Sequence, residues 1–580
     1  MTRFFTKKHH YFLLASVIFY IIVLVFLYSN RFESYIYYQR ISFDSSGARI
    51  YANLYYPNKQ LTFQDKAPLI IFAHGLGSQK DMDIRVPNEF TKRGFFVASL
   101  DYRGNGESSG ELLDINHASY RNRTNVPAVA QECSKLLDVI ETLPVYNKIN
   151  SSQIGLIGHS LGGMVVLMNG ALDTRFKVTV TWAGLVNFSA QEFYISETDP
   201  FMNYIPSKIV NSTNPLNLLA IQSVYDNVVP YKQNALLLQN LTNCPLINIT
   251  HNLIGSPHSL FSNKVLIDSI QWIELKLFYS TTINGPIQLG YLYTFFLLFL
   301  GLIGLYLLTL AIIKYSAKYF SIDLTKDKGE NLKKKYHMIH ERKKLLLKEI
   351  LKISIYYSGF VGLWIIFYML MGILGIIIVP IIVIFIYFCT YLIKYIITAE
   401  EIGQKVMTYI ERHLKNEIKA QFHRNVILYS FFSIIIFLSL YISYSLLYPF
   451  AFFSPVNIVD FILTYSIYPF YLAIELFYRK IIYPRLYLIK SESNKTILTS
   501  IMALVNVIIL MVLSFHLFVI QSLLVTYLIF LSVIIMNSLI YEKTRKFSSV
   551  LISSFIIIQI FFGSAISAIL GIGSIFLIFL

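Results

Sequence analysis

The placement of positive charge constrains this chain more than any other feature. After residue 285 the sequence passes through six apolar stretches, 289–313, 353–393, 425–447, 461–477, 497–541 and 549–580. A bilayer core about 30 Å thick takes roughly 20 apolar residues as helix. The stretches 353–393 and 497–541 are too long for one crossing. Each is predicted to be two helices joined by a tight outer turn, near Gly372–Gly375 and near His516. One further run, Tyr11–Tyr28, follows Arg3, Lys7, Lys8, His9 and His10. With residues 1–10 cytoplasmic, this gives one span (11–28) before the middle of the chain and about eight within 289–580. The inner connections are then 314–352, 394–424, 478–496 and 542–548, and they hold 12, 6, 5 and 3 Lys/Arg, all 26 of that half. Outer connections hold none. Retention of Lys and Arg on the cytoplasmic side orients membrane helices, so residues 31–285 are expected to lie outside the cytoplasm, in a multi-pass protein of the cell membrane.

The formal net charge of +16 therefore belongs to the ends and the inner loops, because residues 31–285 carry 20 basic and 20 acidic side chains. A basic balance of this kind reports topology, which excludes a nucleic-acid partner and makes the lipid bilayer the expected one. Leu27-Tyr28-Ser29-Asn30 is no small-residue cleavage pattern, so the first run is expected to be an uncleaved anchor rather than a signal peptide. Six Asn-x-Ser/Thr triplets (Asn122, Asn150, Asn187, Asn211, Asn240, Asn248) fall in the middle segment, against Asn494 elsewhere, in keeping with that orientation. In 398–424, Ile402, Val406, Ile410, Leu414, Ile418 and Phe422 recur every four residues among charges, and 332–350 is similarly basic. Such helices either lie on an anionic leaflet or pack on a neighbouring span. Asp460, Glu475 and His516 sit near predicted helix ends and form no ladder, and no internal repeat is evident, so the bundle is expected to anchor or handle lipid rather than transport. Three cysteines (Cys133, Cys244, Cys389) set no disulfide framework and are expected as free thiols.

The middle segment alternates strand-like and helical runs. Strands are predicted at Tyr35–Phe43, Arg49–Tyr56, Pro68–His74, Phe95–Asp101, Ile154–His159, Val178–Ala183, Leu218–Tyr225 and Pro245–His251. Helices are predicted near 85–93, 128–142, 161–172, 231–240 and 259–280. Alternation with continuous β-branched strands means a mostly parallel sheet covered on both faces. Its ligand crevice lies at the carboxyl ends of the strands.

Chemistry-bearing residues fall at those ends. The fifth strand is followed by Gly158-His159-Ser160-Leu161-Gly162 and a helix. A serine hydroxyl becomes a nucleophile when a sharp turn exposes it beside a base, and the flanking glycines permit the turn. His74-Gly75-Leu76-Gly77 follows the third strand, where the backbone N–H of Leu76, with that of Leu161, is placed to hold an oxyanion. Asp226 follows the seventh strand and His258 the eighth, in the order Ser, Asp, His that this architecture requires. His251 is a rival base, and Asp173 and Asp199 are rival acids that follow no strand end. Gly255 and Pro257 shape a loop that favours His258. An insertion at 187–216, with Phe188, Phe193, Tyr194, Phe201 and Tyr204, is expected to cap the crevice. Its rings either receive an apolar group or pack the cap on the sheet. No metal-ligand cluster, phosphate loop or dinucleotide loop is present, so no metal or cofactor is expected.

On these motifs, and on Asp101-Tyr102-Arg103-Gly104-Asn105-Gly106-Glu107-Ser108 after the fourth strand, the segment 35–282 resembles the α/β-hydrolase superfamily, within it the serine aminopeptidase/monoacylglycerol-lipase-like esterases. Ser223 departs from the Gly that commonly precedes the acid in that group. The resemblance implies a doubly wound, mostly parallel eight-stranded sheet in 31–285, fused here to an all-α transmembrane bundle that it does not cover. It also implies a serine hydrolase acting on an ester, thioester or amide, with a lipid or acylated substrate favoured by the tether. The alternatives are a peptidase with a peptidyl substrate, or a hydrolase-like binding module serving a transport or sensing bundle.

Overall fold

The computed structural model describes residues 2–61, 63–76, 78–250, 257–281, 284–320, 348–355, 373–401, 405–447, 468–486, 494–499 and 534–557, with the single positions 359, 362, 465, 489 and 501. His251, Gly255, Gly77, Gly372, Asp460, His516 and the stretch 321–347 lie outside the described residues.

The chain begins with helix α1 (Thr2–Ser34), which passes directly into strand β1 (Tyr35–Ser45). β1 turns through Ser46 and Gly47, both at positive φ, into β2 (Ala48–Pro57). Two residues of that conformation make the tight hairpin turn whose twist matches the strands. β3 (Ala67–Ala73), β4 (Phe96–Asp101), β5 (Ile149–His159), β6 (Val178–Trp182), β7 (Leu218–Gln222) and β8 (Leu246–Asn248) complete an eight-stranded sheet of order β1-β2-β4-β3-β5-β6-β7-β8. β1 and β2 join antiparallel, and β2 is antiparallel to β4. All other neighbours are parallel. The crossovers carry α2 (Arg85–Thr91), α3 (Glu132–Thr142), α4 (Leu161–Leu172), α5 (Pro206–Ile209) and α6 (Leu237–Thr242), and α7 (Asn263–Phe278) follows β8.

Strand periodicity divides the core between the two faces. Leu69, Ile71, Ala98, Leu100 and Leu156 pack with α3 and α4 on one side. Ile70, Phe72, Val97, Ile157, Val180 and Trp182 face the other, toward α2 and α7. That second core does not stop at the sheet. It continues through Tyr20, Val23 and Leu27 of α1 and through Tyr291, Leu297 and Leu305 of α8 (Tyr291–Ser316). Cys133 and Cys244 are buried free thiols.

Beyond α8 the described helices include α9 (Ile373–Glu401), α10 (Val406–Gln421), α11 (Arg424–Ser445) and α12 (Tyr468–Leu476), with a shorter apolar helix at Phe547–Ile557. Among the described residues, three helices are long and apolar enough to cross a membrane: His10–Ser34, Tyr291–Phe320 and Arg424–Ser445. They meet closely because Gly304 admits Phe19 and Tyr20, and Gly301 lies under the Tyr444 ring. Tyr20 donates to the Leu440 carbonyl (2.7 Å), and Tyr429 donates to that of Ile313 (2.8 Å). Outward faces are apolar, with Leu14, Ile18, Ile21, Val25, Phe296, Phe299, Phe431 and Ile435 exposed. On α10, Leu414 and Ile418 are exposed, as is Phe422 just after it.

Candidate active site

The sharp turn at Ser160 follows from the tight packing of β5 against α4. Ser160 has φ of 54° and ψ of −118°, a strained setting for a residue with a side chain. It persists because the flanking glycines allow the chain to close: a Cβ at Gly162 would strike the Ala73 and His74 carbonyls, and one at Gly158 the Gly162 carbonyl. Ser160 N donates to Trp182 O (2.8 Å), which ties the turn to β6. The hydroxyl is left facing the crevice.

Two other loops bring a base and an acid to it. His258 stands in a short 3-10 turn, Pro257–Ser259, before α7. Its Nε2 lies 2.9 Å from Ser160 Oγ, and its Nδ1 lies 2.8 Å from Asp226 Oδ2. The carboxylate accepts at Nδ1, so Nδ1 carries the proton and Nε2 is free to accept from the serine. Asp226 is buried, yet all its acceptor sites are engaged. Oδ1 takes the backbone N–H groups of Val228 (2.9 Å) and Val229 (3.0 Å), and Oδ2 also takes Gln222 Nε2 (3.2 Å). At the departure from the family pattern, Ser223 Oγ accepts from Tyr225 N (3.2 Å), and the Ser223 carbonyl accepts from Asp226 N (3.1 Å). The serine thus helps form the turn that presents the acid. The rival acids are engaged elsewhere: Asp173 pairs with Arg175 and Arg121, and Asp199 caps Phe201 N.

The turn bearing Leu76 lies directly over the serine, since a Cβ at Gly75 would come within 3.3 Å of Ser160 Cβ. Leu161 is buried at the start of α4. A charged cluster holds this turn from below. Lys80 Nζ meets Asp101 Oδ2 (3.0 Å), Glu107 Oε2 (2.7 Å) and Asp81 Oδ2 (3.5 Å), while His74 Nε2 stands 3.2 Å from Asp101 Oδ1. Burial alone would raise the Asp101 carboxyl, but Lys80 and His74 outweigh it and hold the group well below the ordinary range. Burial pushes Asp81 up to about 6 against the pull of Lys80. The residues 101–108 therefore brace the turn: Glu107 N and Lys80 N both donate to Asp101, and Arg103 is locked onto Glu132.

The cap residues separate into two groups. Phe188, Phe193 and Phe201 are buried in the core that α4 shares, with Phe188 and Phe193 centroids 4.2 Å apart, and Tyr204 is partly buried beside them. Tyr194 is 59% exposed. Most of these rings are engaged in seating the cap. Among the described residues, no three His, Cys, Asp or Glu side chains gather to hold a metal.

Several site residues have no motif to mark them. Gln222 is the last residue of an otherwise apolar strand. His159 donates from Nε2 to the His258 carbonyl (2.9 Å), and burial, with His258 nearby, pushes its imidazole down to about 4. Arg85 and Asp83 pair at 2.7 Å beneath the His258 loop.

Residues 68–175 match the family model for the alpha/beta hydrolase fold. With the sheet order above, the segment that holds β1 to β8 carries that fold. An uncharacterised 31.7 kDa protein of the traX-finO intergenic region of Escherichia coli is 38% identical over 117 residues, covering 20% of this chain and 37% of that protein. The platelet-activating factor acetylhydrolase of Bos taurus is 28% identical over 157 residues, covering 21% and 35%. The chain thus spans about a third of the length of these curated relatives. The structure of an S-formylglutathione hydrolase from Agrobacterium tumefaciens aligns at 17% identity and a TM-score of 0.33, over 41% of this chain and 94% of that one.

Proposed function

We propose that the chain is a membrane-bound serine hydrolase whose hydrolytic domain faces the extracytoplasmic space. The observation that carries the reading is the continuous hydrogen-bonded series Ser160–His258–Asp226 ending on a serine held at a strained positive φ. As Ser160 Oγ attacks an acyl carbon, its proton passes to His258 Nε2, and Asp226 stabilises the imidazolium through Nδ1. The backbone N–H groups of Leu76 and Leu161 take the oxyanion. Collapse breaks the acyl bond, the leaving oxygen, sulfur or nitrogen takes the proton from His258, and an acyl-enzyme remains. Water, deprotonated by the same nitrogen, then releases the acid and restores Ser160.

An acylated substrate is favoured by the relative named as a platelet-activating factor acetylhydrolase, and a lipid one by the apolar helices packed on the domain. A peptidase would need a carboxylate for the terminal amine. Of the cap's three carboxylates, Glu192 and Asp199 close local turns on Ser189 N and Phe201 N, which leaves Glu197, exposed, as the one such group not spent on a turn. Membrane embedding is supported by the apolar outward faces of α1, α8 and α11, and the extracytoplasmic side by the charge pattern of the loops. Five of the six sequon asparagines in the domain are exposed, and Asn150 partly so.

A fluorophosphonate probe should label the wild type and not Ser160→Ala. A folded wild type that takes no label overturns the reading. Acyl p-nitrophenyl esters of graded length, run against aminoacyl amides, separate lipase-like from peptidase activity. Protease added to intact cells should cut within 187–216 and spare 314–352, and the reverse pattern refutes the orientation.

A further inference from the structure

The His258 loop rests on the first turns of helix α8. Leu260, two residues after His258, is buried with φ of 47°, a left-handed setting that is strained for a non-glycine residue and must be held from outside. Its carbonyl accepts Arg85 Nη1 at 3.0 Å. Arg85 is in turn fixed by Asp83, through Nε to Oδ1 (2.9 Å) and Nη2 to Oδ2 (2.7 Å). Its guanidinium lies between the Trp182 ring (5.2 Å) and the Phe261 ring (5.0 Å). Phe261 then packs edge-on against Tyr291 (5.5 Å) and tilted against Phe295 (5.7 Å), both on α8. Tyr291 donates to Asn263 Oδ1 (2.6 Å) just beyond the loop. The α8 end is itself tied down: Gly290 N donates to Glu89 Oε1 (3.0 Å), and Thr294 Oγ1 accepts from Asn30 of α1 (2.8 Å).

We propose that α8, an apolar helix of membrane-spanning length, positions His258 over Ser160, and that Arg85 and Phe261 are the positioning residues that carry this. The proposal rests on the serine hydrolase reading and adds that hydrolysis depends on how the apolar helices are seated. A shift of α8 moves Phe261 and, through the Leu260 carbonyl, moves the imidazole three and two residues away. Nucleophile and base must stay within hydrogen-bond reach, and a 1 Å misplacement costs about 100-fold in rate.

The test uses the full chain in detergent, with a fluorophosphonate and p-nitrophenyl acetate as probes. Arg85→Lys keeps the charge but loses the fork that grips Asp83 and Leu260 together. Phe295→Ala alters α8 alone. Each should slow probe labelling and lower kcat by about tenfold or more, with KM for this small ester within about twofold, while Phe261→Tyr stays near wild type. Because Phe261→Ala and Phe295→Ala remove the same contact, the double variant should lose little more than one single variant does. Thermal midpoints identify any variant whose loss is only unfolding, and in that case the milder Phe261→Leu decides by the same kcat criterion. Wild-type labelling rates in the folded variants, a loss confined to KM, or additive losses in the double variant would overturn the proposal and leave the hydrolase reading intact. An unlabelled wild type overturns both.

Discussion

Replacing Asp226 with asparagine tests the reading at the one atom on which the chemistry turns. The Asn side chain has one acceptor and one donor end, and the surroundings decide which way it faces. Val228 N and Val229 N both donate to the Oδ1 position, at 2.9 and 3.0 Å. An amide nitrogen placed there would lose two hydrogen bonds, each worth about 1 kcal/mol, and set donor against donor. The oxygen therefore stays at Oδ1, and the NH2 group occupies the Oδ2 position, 2.8 Å from His258 Nδ1. Nδ1 must then accept, the ring proton moves to Nε2, and Nε2 points an N–H at Ser160 instead of a lone pair. Loss of the required tautomer costs about 10⁴-fold in kcat, about 5 kcal/mol of barrier, in the serine protease for which it is documented. We expect the same order in fluorophosphonate labelling and in p-nitrophenyl ester turnover. Gln222 Nε2, now facing an NH2 group, would also lower the thermal midpoint. A folded Asp226→Asn variant that keeps more than about a tenth of wild-type turnover, far from the loss expected of a wrong tautomer, would refute the assignment of the acid.

Three further outcomes follow from packing and charge. Gly162→Ala drives a Cβ into the Ala73 and His74 carbonyls, which are backbone and cannot yield, so it should abolish both labelling and a cooperative melt; a folded, active variant would show that the turn is not constrained as described. His159, depressed to about 4 by burial and by His258, protonates in the unfolded chain first, near its ordinary 6.5, so its contribution to stability is complete above about pH 6.5 and is lost as pH falls toward 4. His159→Gln should flatten the thermal midpoint over that window, and parallel curves would exclude the effect. Asp81, raised by burial to about 6, acts in the opposite sense: its contribution is present at low pH and is lost as pH rises through about 6. Relative to Asp81→Asn, the wild type should gain stability as pH falls from about 6 to about 4, and a midpoint difference independent of pH would count against a buried, raised carboxyl.

The parts of the site that sequence reasoning reaches are those with local causes. A β-branched run, a pair of glycines about a serine and a helical pattern after it are all contained within a few residues, so Ser160 and its turn are legible. Asp226 and His258 are legible because a parallel sheet brings the ends of distant strands to one edge. Gln222 is not, because a Gln at a strand end has many uses, and only the fold shows it donating to Asp226. Arg85 and Asp83 are equally silent: their pairing spans two residues, but what they grip lies 175 residues away at Leu260. The cap illustrates a limit of another kind. Aromatic side chains in an insertion satisfy two demands alike, lining a crevice and covering a core, and Phe188, Phe193 and Phe201 are buried while Tyr194 is exposed.

Composition divides the chain near residue 285, whereas the apolar core does not. Charge placement along a sequence reports which side of a bilayer each loop occupies, and it carries no information on what a helix packs against. Trp182 at the end of β6, Leu260 beside the His258 turn, Tyr291 at the head of α8 and Tyr444 on α11 belong to one buried cluster. The sheet face that carries Ile70, Phe72 and Val180 is covered by α2 and α7, and α2 in turn packs against α1 and α8. Helices long enough to anchor the domain are thereby also its packing partners. Apolar side chains in such a cluster are each worth about 1.5–3 kcal/mol when removed from water. Stripping α1 and α8 from the domain would uncover Tyr35, Leu260 and Leu277 of the same cluster, Leu260 beside the His258 turn itself. If these helices anchor the domain as proposed, anchorage and the geometry of the site become one physical problem, met by the same side chains.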